Sequence, residues 1–300
     1  MKNNESLDIL IQRYGEPDAL IDNFSSKKYG YAIWGYDEIF EYNISDIKSG
    51  DNPFNQLQNK INSWKDKNKK INCIGFLSYD IKNIIYPHVK FKKIESSFPI
   101  IWFAKPKLIK PFQIESKTKI EKKDFIYLNQ DILDIEKYKQ KIDKIKEELK
   151  AGNTYQINFT MNKIFKIKSN PFLLYLQLRE SAKPAFGYYI KLNNQYILSL
   201  SPEQFFNTQG SLIQSFPMKG TRPRDIEKKK DNILKEELKN SSKDKAEHLM
   251  IVDLLRNDLG KICQYNSIEV KDLFDVNSYE SVHQMVSCIN GQLNKNINHI

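Results

Sequence analysis

The sequence predicts an α+β fold: two packed, largely antiparallel β-sheets with helices on the outside. Three observations carry that prediction. Short alternating apolar and polar stretches, broken by polar loops, fill the chain up to about Lys123. Two segments, Glu136–Ala151 and Ser242–Leu259, place apolar residues at spacings of three and four, as a helix with one buried face requires. Strand patterns return between and after those helices, without the strict strand–helix alternation that builds a parallel sheet.

In chain order, Tyr29–Trp34, Ile39–Tyr42, Ile74–Tyr79 and Ile100–Ala104 read as strands. The Lys-rich stretch Lys117–Asp124 reads as a linker, dividing a β-rich region, residues 1–123, from a second region, residues 124–300. In Glu136–Ala151 the side chains of Tyr138, Ile142, Ile145 and Leu149 share a face, and Gly152 supplies a C-terminal stop. Tyr155–Ile167 reads as a strand and Pro171–Glu180 as a helix, with proline in the first turn, where a missing N–H costs nothing. Phe186–Leu192 and Gln195–Leu200 flank Asn193–Asn194, the signature of a hairpin. Ser211–Phe216, Ser267–Val276 and Val282–Ile289 read as extended.

Composition excludes several classes. Hydrophobic residues make up 40%, with 17 Phe and 16 Tyr, so the 300 residues can bury a core and are not a disordered chain. The charge, 47 − 37 = +10, is spread along the sequence among Asn, Ile and Glu, which reads as solvated faces rather than a nucleic-acid footprint. Cys73, Cys263 and Cys288 are odd in number and lack C-x-x-C spacing, so no disulfide framework is expected and a reducing, cytoplasmic setting fits. The N-terminus lacks signal-peptide order, and no apolar run is long enough to span a membrane.

P-loop, G-x-G-x-x-G, H-E-x-x-H and G-x-S-x-G signatures are absent from the sequence, and four histidines leave little for a His-rich metal site. Four segments instead put polar residues where a core would want apolar ones. They are Gly152–Thr160 (GNTYQINFT), Ser201–Phe205 (SPEQF), Pro217–Arg224 (PMKGTRPR) and Lys245–Cys263 (KAEHLMIVDLLRNDLGKIC). Glu280–Ser287 (ESVHQMVS) is a fifth, and Ile74–Asp80 (IGFLSYD) a weaker sixth. Together, and in this order, they resemble the chorismate-utilising enzymes: the anthranilate, aminodeoxychorismate, isochorismate and salicylate synthases.

The resemblance implies the fold of chorismate-binding enzymes and a set of roles. Where anthranilate synthases generally read P-I-A-G-T, this chain reads Pro217-Met218-Lys219-Gly220-Thr221, like the lysine-bearing aminodeoxychorismate synthases. Lys219 would then attack the chorismate ring as the 4-hydroxyl leaves, and ammonia would displace the lysine. A lysine is nucleophilic only when neutral, so desolvation or nearby cations such as Arg222 and Arg224 are expected to favour that form. Gly220 would let the backbone approach substrate, with Thr221 beside it. A solvated loop lysine is the plain alternative.

Glu203 matches the family acid that protonates the departing hydroxyl, a poor leaving group; a strand-end salt bridge is the alternative. Asp244, Glu247, Ile251, Leu254 and Asp258 fall near one helical face, and the resemblance makes Glu247 a ligand of Mg2+, which would hold the substrate carboxylate. A solvent-facing pair with a lysine is its alternative. Asp253, Arg256 and Asn257 are expected to order helix contacts. His283 matches a histidine lining the substrate surroundings, or is a satisfied core residue. Gln156 stands where isochorismate and salicylate synthases carry a water-activating lysine, and glutamine cannot be that base.

The implied reaction is amination of chorismate to 4-amino-4-deoxychorismate in p-aminobenzoate and folate synthesis. Ammonia is expected from a separate glutamine amidotransferase subunit, component II. Anthranilate synthase component I and a non-catalytic chorismate-binding remnant are the alternatives. Ala19–Ser25 (ALIDNFS) resembles the L-L-E-S segment of tryptophan-regulated enzymes only loosely, so tryptophan feedback is not expected. Family members continue through a segment ending G-A-P-K, an R-G-x-Y-x-G strand and a second magnesium-binding glutamate. This sequence stops at Ile300 without them, so the expectation is a fragment or half of a split subunit, with little turnover alone.

Overall fold

The computed structural model describes residues 5–22, 24, 29–47, 52–92, 98–114, 128–129, 134–167 and 170–298. They fall in two compact units: residues 1–119 with 175–300, and residues 120–174. The expected linker, Lys117–Asp124, lies outside the described residues.

The strands of the first half are β1 (Ala19–Asp22), β2 (Tyr29–Tyr42), β3 (Ile74–Leu77), β4 (Ile101–Gln113), β5 (Leu128–Asn129) and β6 (Phe165–Lys166). Those of the second are β7 (Phe186–Leu192), β8 (Gln195–Ser201), β9 (Asn207–Gln209), β10 (Leu212–Ser215), β11 (Met218–Pro223), β12 (Glu269–Ser278) and β13 (Val282–Gln292). In the larger unit they form two sheets. The first runs β3-β4-β2-β1-β7-β8, and every pairing in it is antiparallel. The second centres on β13, which pairs antiparallel with β10 and β11 along one edge and β12 along the other, with β9 beyond β10. The α+β reading with two antiparallel sheets therefore holds.

Four helices were not legible in the sequence: α1 (Leu7–Tyr14), α2 (Pro53–Trp64), α3 (Lys82–Ile85) and α6 (Lys228–Asn240). None buries more than four residues, against an Asn- and Lys-rich background, as with Leu7 and Leu10 or Leu57 and Trp64. Tyr29–Trp34 and Ile39–Tyr42 are one strand rather than two. The polar stretch between them is absorbed by a bulge, where Gly35 takes φ +70° and the register slips between Tyr36 and Glu38. Asn193, at φ +50°, turns the β7–β8 hairpin as its sequence requires.

The first sheet packs Ala19, Ile33, Trp102, Ala104 and Ile190 into one cluster and Tyr42, Leu57, Ile100 and Ile101 into another. Each buried leucine or isoleucine among them contributes about 1.5–3 kcal/mol. The second sheet is covered by α6 and by α7 (Ser242–Gly260): Leu238 packs with Val276 and Met285, and Val252 and Leu259 pack with Ile213 and Ile289. The buried face of α7 is His248, Val252 and Leu259, one position off the stripe expected through Glu247 and Leu254. Apolar residues surround this helix, with Leu249, Met250 and Leu254 each over 40% exposed, so periodicity alone did not select the face.

In the smaller unit, α4 (Ile135–Lys150) is capped by Asp134, whose carboxylate accepts from Lys137 N at 3.1 Å, and Tyr138 packs against Phe159. Only β6, paired with β5, survives of the strand expected over Tyr155–Ile167. Among the described residues of that unit, its β-rich composition finds no partner strand beyond this two-residue pairing. The helix expected from Pro171 is α5 (Pro171–Ala182).

Candidate active site

Two chain segments meet at the edge of the second sheet. Directly after β8, Ser201 Oγ accepts from Glu203 N at 3.2 Å and donates to Glu203 O at 3.0 Å, fixing a tight turn around Pro202. This turn presents Glu203. On β11, the register against β13 slips between Lys219 and Thr221, and Gly220 at the slip takes φ +77°. A Cβ there would stand 2.9 Å from Leu238 Cδ1 and 3.1 Å from Asp244 Cβ, so the residue must be glycine for conformation and for space. A bulge beside a site re-aims its neighbours, and this one sets the direction of Lys219.

Glu203 and Lys219 come together. Burial against protein raises the Glu203 carboxyl above its ordinary range, opposed by a hydrogen bond from Met218 N–H and by the nearby Lys219 ammonium. Glu203 remains open to solvent on its other side. A carboxyl so placed keeps its proton to higher pH, as a general acid needs.

Arg222 and Arg224 do not stand as free cations near Lys219. The Arg222 guanidinium bonds Glu237 on α6 at 3.1 Å and Asp244 on α7 at 3.0 Å. Arg224 grips Asp231 with two bonds of 2.8 and 2.9 Å. Carboxylates thus compensate both charges, and the expected help from these arginines gives way to helix anchoring. His283 is 1% exposed, with Nε2 2.9 Å from Asp231 and Nδ1 2.9 Å from Ser278 Oγ, so both ring nitrogens are engaged within the protein. The next residue on β13, Gln284, projects to the opposite face, the side of Val286. Its side-chain oxygen is buried without a hydrogen-bond partner.

Glu247 has a side chain 45% exposed and lies 3.8 Å from Lys243. Asp253 and Arg256 pair with each other in solvent. Among the described residues no three His, Cys, Asp or Glu side chains gather as a metal cluster. Magnesium takes one or two carboxylates with water and substrate oxygens, and Glu247, an open hard-oxygen donor, fits so sparse a site. Gln156 belongs to the smaller unit; its backbone oxygen accepts from Thr154 Oγ1 at 3.1 Å, and its side-chain oxygen is buried without a partner.

Beside Glu203 opens a cavity of about 510 Å³, walled by Phe24, Phe186, Gln204, Met218, Tyr279 and Val286 among others. Tyr279 went unnoticed in the sequence. It enters the site only because β12 and β13 fold into a hairpin whose turn lies against the Glu203 segment, a proximity no local pattern encodes.

Two antiparallel sheets thus bring an acid and a lysine together beside a cavity. The chorismate binding enzyme family matches residues 18–300, and the chain belongs to that family. Aminodeoxychorismate synthase component 1 of Escherichia coli K12 is 39% identical over 158 residues, 53% of this chain and 35% of that protein. Anthranilate synthase component 1 of Saccharolobus solfataricus is 35% identical over 161 residues, 54% of this chain and 38% of that one. The matched segment thus spans little more than a third of these curated relatives. Anthranilate synthase component I from Streptococcus pneumoniae shares the fold, with a TM-score of 0.73 at 16% identity over 91% of this chain and 70% of that one. A 2,3-dihydroxybenzoate-specific isochorismate synthase from Bacillus anthracis does so at 0.65, with 17% identity over 95% and 70%.

Proposed function

We propose that the chain aminates chorismate to 4-amino-4-deoxychorismate. The observation that carries this reading is Lys219 on the bulged β11, next to Glu203 with its raised carboxyl. The Lys219 amine forms a bond to the ring as the C4–O bond breaks, and Glu203 delivers its proton to the departing oxygen, releasing water. Ammonia then bonds to C4, the lysine–ring bond breaks, and the amine is regenerated. Gly220 and Thr221 belong to the substrate surroundings in this reading, and His283 acts there from behind, through Asp231. Glu247 would hold Mg2+, which supplies positive charge to the substrate carboxylate when bound.

The cysteines bear on the ammonia source. Cys73, Cys263 and Cys288 all have thiols pushed up by burial, the reverse of an activated nucleophile. That supports a separate glutamine amidotransferase, and both curated relatives are named as component 1 of their enzymes. Anthranilate synthase component I is the second reading, favoured by the Saccharolobus likeness.

The test incubates the chain with chorismate, ammonium and Mg2+ and separates products by chromatography. The expected product retains its enolpyruvyl ether; fluorescent anthranilate with pyruvate release would decide for the second reading. Lys219→Ala should abolish product, and Glu203→Gln should slow it by about 10²-fold or more. An unchanged rate in Lys219→Ala would remove the covalent step.

A further inference from the structure

The turn between β12 and β13 is held far more firmly than a hairpin needs. Tyr279 N donates to Val282 O at 2.8 Å, closing the turn itself. Arg224 N then donates to Ser281 O at 3.3 Å, and Arg224 Nη1 donates to Tyr279 O. The same guanidinium is forked onto Asp231, on the first turn of α6. Asp231 also accepts from Asp225 N at 3.0 Å and meets His283 Nε2, while His283 Nδ1 meets Ser278 Oγ at the other end of the turn. Lys183 pairs with Glu280 at 2.9 Å, and both line the same cavity as Tyr279. A nearly buried carboxylate and a histidine 1% exposed are a costly way to fasten a surface turn, and buried ionic groups contribute little net stability; fixing geometry is their better-attested use.

What the fastening fixes is Tyr279. Its ring lines the cavity of about 510 Å³, a volume suited to a small ring substrate. Its phenol bonds the Asn277 side chain and lies near enough to Glu203 to feel that charge. Burial and the Glu203 charge raise the phenol against the lowering effect of the Asn277 bond, so it keeps its proton at neutral pH.

We propose that Tyr279 is a further substrate-contacting residue of the Glu203 site, donating a hydrogen bond to an oxygen of the bound ring acid, and that Arg224, Asp231 and His283 are its positioning residues. This rests on the chorismate reading above.

The test uses the full chain with Mg2+ and measures chorismate affinity by calorimetry, and melting temperature, for wild type, Tyr279→Phe, Asp231→Asn and the double variant. Tyr279→Phe should weaken chorismate about fivefold, the worth of one hydrogen bond, with no change in melting temperature. Asp231→Asn should weaken it similarly, and the double variant should bind no worse than Asp231→Asn alone, because both act through one contact. Wild-type affinity in Tyr279→Phe overturns the contact, and additive losses in the double variant overturn the positioning role. Should Asp231→Asn not fold, Arg224→Lys, which keeps the charge but loses the fork, takes its place in the cycle. No chorismate binding by wild type would overturn the functional reading itself and this contact with it, an outcome distinct from a silent Tyr279→Phe.

Discussion

At Gly220 the backbone adopts φ +77° while Leu238 and Asp244 close over the position, so a single residue both bends β11 and seats α6 and α7 against it. Gly210, at φ +60°, meets nothing within 4 Å of a built Cβ. The pair separates two effects. Gly210→Ala should cost about 1–2 kcal/mol, the left-handed penalty alone. Gly220→Ala should cost roughly 1–3 kcal/mol more, because helix side chains must move away. Urea denaturation of both variants measures the difference, and equal costs would mean that the close contact is unimportant. Lys219 owes its direction to this glycine, so the motif Lys219-Gly220-Thr221 is one geometric unit.

Between elements, the tie of β1 to α5 is the clearest. Arg179 donates to Asp22 at 2.8 and 2.9 Å, Tyr175 adds 2.7 Å to the same carboxylate, and the guanidinium lies 5.2 Å from the Phe24 ring and 5.7 Å from that of Phe112. Both charged partners are 1% exposed. Asp22→Ala leaves the buried Arg179 with only Glu180, at 3.6 Å, and should destabilise by about 3–5 kcal/mol, read as a lowered urea midpoint; replacing Asp22 and Arg179 together by leucine should recover much of the loss. A double variant as unstable as the single would contradict this account. Legibility in the sequence followed the range of the interaction that fixes each element. The β7–β8 hairpin was readable because Asn193 must turn locally, and α4 because one apolar face repeats through Leu149. The face of α7 was misread by one position because apolar residues surround it, and β2 was split in two because a bulge resembles a loop. Glu203 and Lys219 were singled out through motif order, and the fold brings them near each other. Tyr279 and Asp231 were not, since their meaning depends on which strand and helix ends lie together.

For the molecule as a whole, the net charge of +10 is dispersed, and many of the basic side chains pair with acids, as Lys60 does with Glu38 and Lys261 with Asp258. Among the described residues no helix is long and apolar enough to cross a membrane. The six-stranded sheet is completed across a wide interval of sequence, for β1 at residues 19–22 pairs with β7 at residues 187–190. That pairing sets an order on synthesis. A ribosome releasing the chain exposes one edge of β1 until some 165 further residues have emerged, and contacts so distant form slowly. During that interval the nascent sheet presents unpaired amides and carbonyls to any other strand. A polypeptide ending at Gln113 should therefore sediment with aggregates, while the same segment supplied with the β7–β8 hairpin stays dispersed, because in this protein the cap on the growing sheet is the last part of it to be made.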